Sequence, residues 1–241
     1  DWKQHCRRLR RSLAEMRIGY SFNDDVLRNL VLELMDKNSL EDAAVYLQIT
    51  RGVAKREHGF PKGNITQSVV MTANMPSFPS DKEYKHGVAV ITMPDIRWKR
   101  RDIKTISLLP NILAKQAATE QDAAEAILIE DDGFITEGSS SNFFIFDKNG
   151  TLRTHPLNNR ILGGITREGI IDVAKHAGIK VEEQAFRLAD VMESNGAFVS
   201  STTKHILPVT KVNGLEVAGV VCSEIQELMK LYKKYVDGQV G

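Results

Sequence analysis

The sequence predicts a two-domain α/β (α+β) fold, with a small α/β domain over residues 1–77, a linker at 78–81 and a larger domain over residues 82–241. Two observations carry this reading. The stretch Met75-Pro76-Ser77-Phe78-Pro79-Ser80-Asp81 gathers prolines, serines and an aspartate, which resist both helix and sheet, so the regular pattern breaks there. Ahead of it lie helical patterns followed by short alternating runs. Beyond it, short apolar runs suited to strands are interleaved with longer amphipathic patterns suited to helices.

The small domain opens with a helix on which Trp2, Cys6, Leu9, Leu13 and Met16 recur at helical spacing, with Arg7, Arg8, Arg10 and Arg11 between them. Such cations form a solvated face unless one turns inward to an anion, which guanidinium matches bidentately. A second helix is expected over Asp24 to Lys37. Ala43 to Thr50 and Ser68 to Ala73 read as strands. The loop between them is punctuated by Gly and Pro and carries Arg56 and His58 two residues apart, so in an extended loop both side chains point the same way. A solvated surface loop and a clamp for a carboxylate are both compatible with that spacing.

In the larger domain Val88 to Thr92 is a strand leading into Arg97-Trp98-Lys99-Arg100-Arg101-Asp102-Ile103-Lys104. The alternation around Ile103 and Ile106 places Lys104 on the apolar end of an inward-running strand, and a helix follows over Ile112 to Ala124. Two readings of Lys104 stay open on spacing alone: a snorkelling side chain whose ammonium reaches water, or a desolvated amine able to form a Schiff base with a carbonyl. Ala126 to Glu130 is a strand. Phe134 to Phe146 then holds Glu137 and the hydroxyls of Ser139, Ser140 and Ser141 between two apolar strands, where a buried carboxylate needs a cationic partner.

Leu152 to His155 reads as a short strand. Gly163-Gly164 leads into a helix over Thr166 to Ala177, and its free N–H groups and dipole suit an anion as well as a plain glycine turn does. Ile179 to Gln184 is a strand and Leu188 to Met192 a short helix. A strand from Ala197 breaks into the hydroxyl cluster Ser200-Ser201-Thr202-Thr203, which either satisfies local backbone or completes a phosphate cup. Val209 to Val217 is a hairpin around Asn213-Gly214, and Val221 to Val236 is the last helix.

Composition bounds the function. Of 241 residues 42% are hydrophobic and 26% charged, and the net charge is +1, an ordinary globular balance with no global field toward nucleic acid or a membrane surface. The basic clusters at Arg7 to Arg11 and Lys99 to Arg101 are local, and the near-zero net charge argues against nucleic-acid binding. Cys6 and Cys222 are far apart in sequence, which fits a reduced, cytoplasmic protein better than a disulfide scaffold. No apolar run approaches about 18 residues, so no transmembrane span is expected, and no signal peptide is expected either. No metal-binding pattern is expected. The start at Asp1 without a methionine suggests further residues upstream.

Three motifs together resemble the fold-type IV pyridoxal-phosphate aminotransferases, and among them the D-amino-acid aminotransferases. Asp95-Ile96-Arg97-Trp98 through Lys104 to Ala117 resembles the family's cofactor-lysine segment. Thr136-Glu137-Gly138-Ser139-Ser140-Ser141-Asn142 resembles the segment facing the pyridine nitrogen. Gly163-Gly164-Ile165-Thr166-Arg167 resembles the phosphate-binding turn. Their order and separations match, and the likeness runs from about Arg8 to the end. It favours the functional readings of Lys104, Glu137 and the Gly-Gly turn left open above.

The resemblance implies a larger barrel-like domain with helices outside it, and pyridoxal 5′-phosphate as cofactor. Lys104 would be the Schiff-base and catalytic residue. Arg8, Gly164, Ile165, Thr166, Ser201 and Thr202 would surround the phosphate, Glu137 would keep the ring nitrogen protonated, and Leu162 would pack on the ring. Arg56 and His58 resemble the carboxylate trap of the D-specific enzymes, with Ser139, Ser140 and Ser141 also toward substrate. The implied reaction is D-alanine plus 2-oxoglutarate to pyruvate plus D-glutamate in a homodimer with shared active sites. L-branched-chain aminotransferases and aminodeoxychorismate lyases of the same fold are the alternatives. The resemblance also leads us to expect, ahead of Arg8, a Gly-Asp-Gly-x-Tyr-Glu-like segment whose tyrosine helps bind the substrate carboxylate. Nothing in the sequence matches it.

Overall fold

The computed structural model describes residues 1–238, so the end of the expected 82–241 domain lies outside the described residues. The chain divides into two compact units, Asp1–Ser77 and Phe78 onward. Residues 78–81 belong to the second: the Phe78 ring lies 5.8 Å from that of His205, and Ser80 caps a helix.

The first unit contains α1 (Trp2–Glu15), α2 (Asp24–Lys37), β1 (Ala44–Thr50) and β2 (Ser68–Asn74). Asn23 starts α2 because its side-chain oxygen accepts from the N–H groups of Asp25 and Val26, while Asp24 and Asp25 in the first turn and Lys37 in the last complement the dipole. Cys6, Leu13, Ile18 and Leu27 are buried, and the Trp2 indole N–H donates to the Asp24 carbonyl at 3.1 Å. β1 and β2 pair antiparallel, from Ala44 opposite Asn74 to Thr50 opposite Ser68.

The second unit is built on β3 (Val88–Pro94), β4 (Glu125–Ile129), β5 (Ile135–Gly138), β6 (Asn142–Phe146), β7 (Leu152–Thr154), β8 (Val181–Glu183), β9 (Gly196–Ser201), β10 (His205–Val212) and β11 (Leu215–Glu216). Their order is β5-β4-β3-β10-β9-β6-β7-β8, with β11 paired to β10. The two ends of this sheet approach each other. Phe134, just ahead of β5, bridges to Arg187, after β8, and the Ile135 N–H donates to the Phe186 carbonyl at 2.9 Å. The sheet therefore curls into the barrel-like form the resemblance implied.

Successive residues of β6 show both faces at work. Phe143 and Ile145 enter a cluster with Val90, Ile127, Ile135 and Phe186. Phe144 and Phe146 point the other way, against Ile170, Ile225 and Tyr232 of α5 (Ile165–His176) and α7 (Ser223–Asp237). A third cluster sets Ile91, Ala126 and Leu128 against Ala114 and Ala118 of α4 (Leu109–Glu120). The Phe144 ring stacks on Phe198 at 4.7 Å and is fully buried. Phe144→Ala is expected to cost about 3–5 kcal/mol in urea unfolding, through lost burial and a residual cavity. A loss below about 1 kcal/mol would contradict this packing.

Two sequence expectations need correction. Lys104 is not on a strand. β3 ends at Pro94, and residues 95–108 are irregular because Arg97 and Arg101 fold back onto the buried Asp95 and a turn brings the Ile103 N–H to the Arg100 carbonyl. Ile103 is buried while Lys104 is exposed, and the helix after it begins earlier than expected, at Leu109, with Pro110 in its first turn. The second correction is α3 (Asp81–His86), a helix the sequence reading did not place, which begins at the last residue of the expected connector. Its Ser80 and Glu83 form a reciprocal capping box. α6 (Leu188–Met192) has the expected bounds.

Candidate active site

Glu137 lies on β5, fully buried, and three groups donate to its carboxylate. Arg97 Nη1 lies at 2.5 Å, Asn142 Nδ2 at 2.9 Å, and the Leu162 N–H at 3.0 and 3.2 Å from the two oxygens. Burial nevertheless pushes the Glu137 carboxyl up to about 7. Arg97 pulls it down, but its guanidinium is divided between Glu137 and Asp95, which it contacts at 2.8 Å. Asp95 itself is held below the ordinary carboxylate range: burial works to raise it, and Arg97, Thr136 and Arg101 outweigh that. Glu137 is thus the less compensated of the two acids.

Asn142 connects this acid to the next loop, because its Nδ2 also donates to the Leu162 carbonyl at 2.9 Å. Gly164 follows and is the N-cap of α5, with no side-chain capping bond. A Cβ there would come within 2.1 Å of Asn142 Oδ1, so only glycine lets the loop approach. Ile165 and Thr166 are the first helical residues, and N–H groups at such a position have no partner within the helix. A buried acid and a helix N-terminus are therefore joined through Asn142 and Leu162, an arrangement able to hold a proton at one point and an anion at another.

Ser139, Ser140 and Ser141 lie in the β5–β6 turn, and all three hydroxyls donate to one carboxylate, Glu125 at the start of β4. Lys204 Nζ reaches the same carboxylate at 2.7 Å. Ser201 ends β9 and accepts from the Lys204 N–H through its Oγ at 3.2 Å; Thr202 is exposed in the same turn. Lys104 precedes α4, whose Asn111 Nδ2 donates to the Ser139 carbonyl at 2.7 Å. In the first unit, Arg8 is half-buried on α1, and Arg56 and His58 are exposed in the β1–β2 loop. The described residues hold no cluster of His, Cys, Asp or Glu suited to a metal ion, and no helix among them is long and apolar enough to cross a membrane.

The sequence reading assigned no role to Asp95, Arg97, Glu125, Asn142 or Lys204. A signal existed for each acid: Glu125 interrupts the apolar run Ala123 to Ile129, and Asp95 stands two residues before an arginine at a strand end. Both imply buried charge needing a partner. Which cation answers each acid is a matter of sheet order, which local pattern does not carry.

Residues 1–212 match the model of the amino-transferase class IV family. The chain is 40% identical to the D-alanine aminotransferase of Bacillus licheniformis over 211 residues, 88% of this chain and 73% of that one. It is 41% identical to the D-alanine aminotransferase of a Listeria monocytogenes strain over 218 residues, 90% and 75% of the two chains. The structure resembles the branched-chain amino acid aminotransferase of Escherichia coli with a TM-score of 0.84 at 26% identity, covering 95% of this chain and 77% of that one. With a family match running from the first helix through β10, the chain belongs to the class IV aminotransferases.

Proposed function

We propose that this chain exchanges amino groups between D-amino acids and 2-oxo acids, with pyridoxal 5′-phosphate as cofactor and D-alanine and 2-oxoglutarate as the substrate pair. The observation that carries the reading is the identity of about two residues in five, over most of the chain, to several D-alanine aminotransferases. The residues present fit the cofactor. Glu137 is a buried acid only partly compensated by Arg97, which it shares with Asp95, and a protonated ring nitrogen would add positive charge beside it. The Gly164 N-cap offers backbone donors of the kind a phosphate takes.

When bound, pyridoxal phosphate supplies a carbonyl that takes up the amino group and a ring that withdraws electrons from Cα. Lys104 would be the amine that holds the cofactor through its carbonyl, and the base and acid that moves the substrate's Cα proton. Glu137 holds the proton on the ring nitrogen. The N–H groups of Ile165 and Thr166, the turn at Gly164, Ser201 and Thr202, and the guanidinium of Arg8 bind the phosphate. Leu162 packs against the ring face. Ser139 to Ser141 shape the substrate side through their loop, since their hydroxyls are engaged by Glu125. Arg56 and His58 grip the α-carboxylate, and the side on which it is anchored sets the stereochemistry.

The assembly in this proposal is a homodimer with shared active sites. Ile106, Leu109, Ile112 and Leu113 are all more than half exposed on one short stretch after Lys104, an apolar surface that a second copy would cover.

Arg56→Ala tests the D-specific reading. A charge-assisted hydrogen bond to a carboxylate is worth roughly 1.5–3 kcal/mol, which is about one to two decades in kcat/KM. KM for D-alanine and for 2-oxoglutarate should rise strongly, and a simple amine donor without a carboxylate should be affected far less. Equal losses on D-alanine, L-leucine and the simple amine would make Arg56 structural and leave the branched-chain reading in its place.

A further inference from the structure

Glu125 is a charged residue with no exposure at all, and nothing in the proposed reaction uses it directly. Its Oε1 accepts from Ser139 Oγ and, at 3.2 Å, from the Ala126 N–H. Its Oε2 accepts from Ser140 Oγ at 3.0 Å, Ser141 Oγ at 2.9 Å and Lys204 Nζ at 2.7 Å. Five donors exhaust a carboxylate's roughly four lone-pair sites, so Glu125 has no capacity left for a substrate atom. It arranges other groups and does not react.

What it arranges spans two loops. The serine turn between β5 and β6 closes over the carboxylate, and Gly138 is glycine because a Cβ there would lie 2.3 Å from Ser141 Oγ and 3.0 Å from Glu125 Cγ. Lys204 belongs to the β9–β10 turn, where its N–H donates to Ser201 Oγ and its carbonyl accepts from Tyr84 at 3.2 Å. Besides the β6–β9 ladder, in which Asn142 pairs with Ser200, the Glu125–Lys204 ion pair is thus a side-chain bond between the turn carrying Ser201 and Thr202 and the loop carrying Ser139 to Ser141. Burial works to raise the Glu125 carboxyl, but Lys204 and the serine hydroxyls outweigh it and hold it below the ordinary range, so Glu125 is ionised at neutral pH.

We propose that Glu125 and Lys204 are a positioning pair that locks the serine loop and the β9–β10 turn into one unit, so that the cofactor-phosphate side and the substrate side of the site are set together. The assignment of those two sides rests on the function proposed above, but the mechanical coupling does not. The test uses Glu125→Gln, Lys204→Met and the doubly uncharged Glu125→Gln/Lys204→Met, which leaves no buried charge unpaired and serves if Lys204→Met alone fails to fold.

Amide hydrogen exchange on the cofactor-free proteins reads the coupling without any activity. Glu125→Gln should speed exchange at residues 201–204, and Lys204→Met or the double variant at residues 138–142. Titration with pyridoxal phosphate and initial rates with D-alanine then read the function. Glu125→Gln should weaken cofactor binding at least severalfold, and Lys204→Met should raise KM for D-alanine by at least as much. The double variant should lose no more than the worse single one, because both remove the same bond. Exchange changes confined to the serine loop in Glu125→Gln and to residues 201–204 in Lys204→Met would overturn the proposal. If the exchange effects cross between loops while no variant nor the parent turns over D-alanine, the functional reading fails and the coupling stands.

Discussion

Lys104→Ala is expected to lower turnover of D-alanine with 2-oxoglutarate by at least about a thousandfold. A positioned general base alone contributes roughly 10²–10⁴-fold, and the same amine is also proposed as the covalent attachment point. Lys104 is exposed on the stretch that leads into α4, ahead of the helix whose Asn111 holds the serine loop. Cofactor should still bind through its phosphate, so loss of turnover and loss of binding separate. Borohydride reduction with cofactor present, followed by peptide mapping, should label Lys104 in the parent protein. The nearest competitors differ in circumstance: Lys115 Nζ is committed to the Ala124 carbonyl at 2.6 Å, and Lys99 is an exposed cation. A label on either of them, or turnover within tenfold of the parent, would remove Lys104 from its role.

Glu137→Gln should reduce turnover by about one to two decades, the loss of one charge-assisted contact to the ring nitrogen, worth roughly 1.5–3 kcal/mol. It should also change how stability depends on pH, with a sign set by the raised carboxyl. The folded value is about 7, against 4.5 for an ordinary glutamate in the unfolded chain. Between those limits the folded protein keeps a proton that the unfolded chain has lost, so stability falls as pH rises through this window. Glu137 is best tolerated below about pH 4.5 and costs most above about pH 7. The full span is at most about 3.5 kcal/mol. Glutamine does not titrate, so in the cofactor-free state the parent should lose stability relative to the variant between pH 5 and pH 8, read by urea unfolding. Saturating cofactor should flatten that difference. Parallel pH profiles without cofactor would mean that Glu137 is fully ionised in the folded protein, held by Arg97.

Glu137, Gly164 and the serines could be singled out because each lies in a contiguous motif at a turn between regular elements, but it was the resemblance, not spacing, that gave them roles. α2 was legible because its start is written locally, in Asn23 and the two aspartates after it. Lys104 shows the limit. The alternation around Ile103 and Ile106 has the period of a strand, yet the backbone there is bent by ion pairs to Asp95 that local periodicity does not register. α3 was hidden by the prolines just ahead of it, Pro76 and Pro79, although its capping box, Ser80 with Glu83, stands in plain sequence. The Glu125–Lys204 pair joins residues 79 positions apart. It exists only because β4, β3, β10 and β9 are neighbours in that order, and no local pattern states that order.

The most direct measurement of the central claim is the initial rate of amino transfer to 2-oxoglutarate by the purified chain with pyridoxal phosphate, from D-alanine and from L-leucine in parallel, with the chirality of the glutamate product determined. The account predicts pyruvate and D-glutamate from D-alanine, at a rate well above that with L-leucine. Faster transfer from L-leucine, with L-glutamate as product, would contradict it.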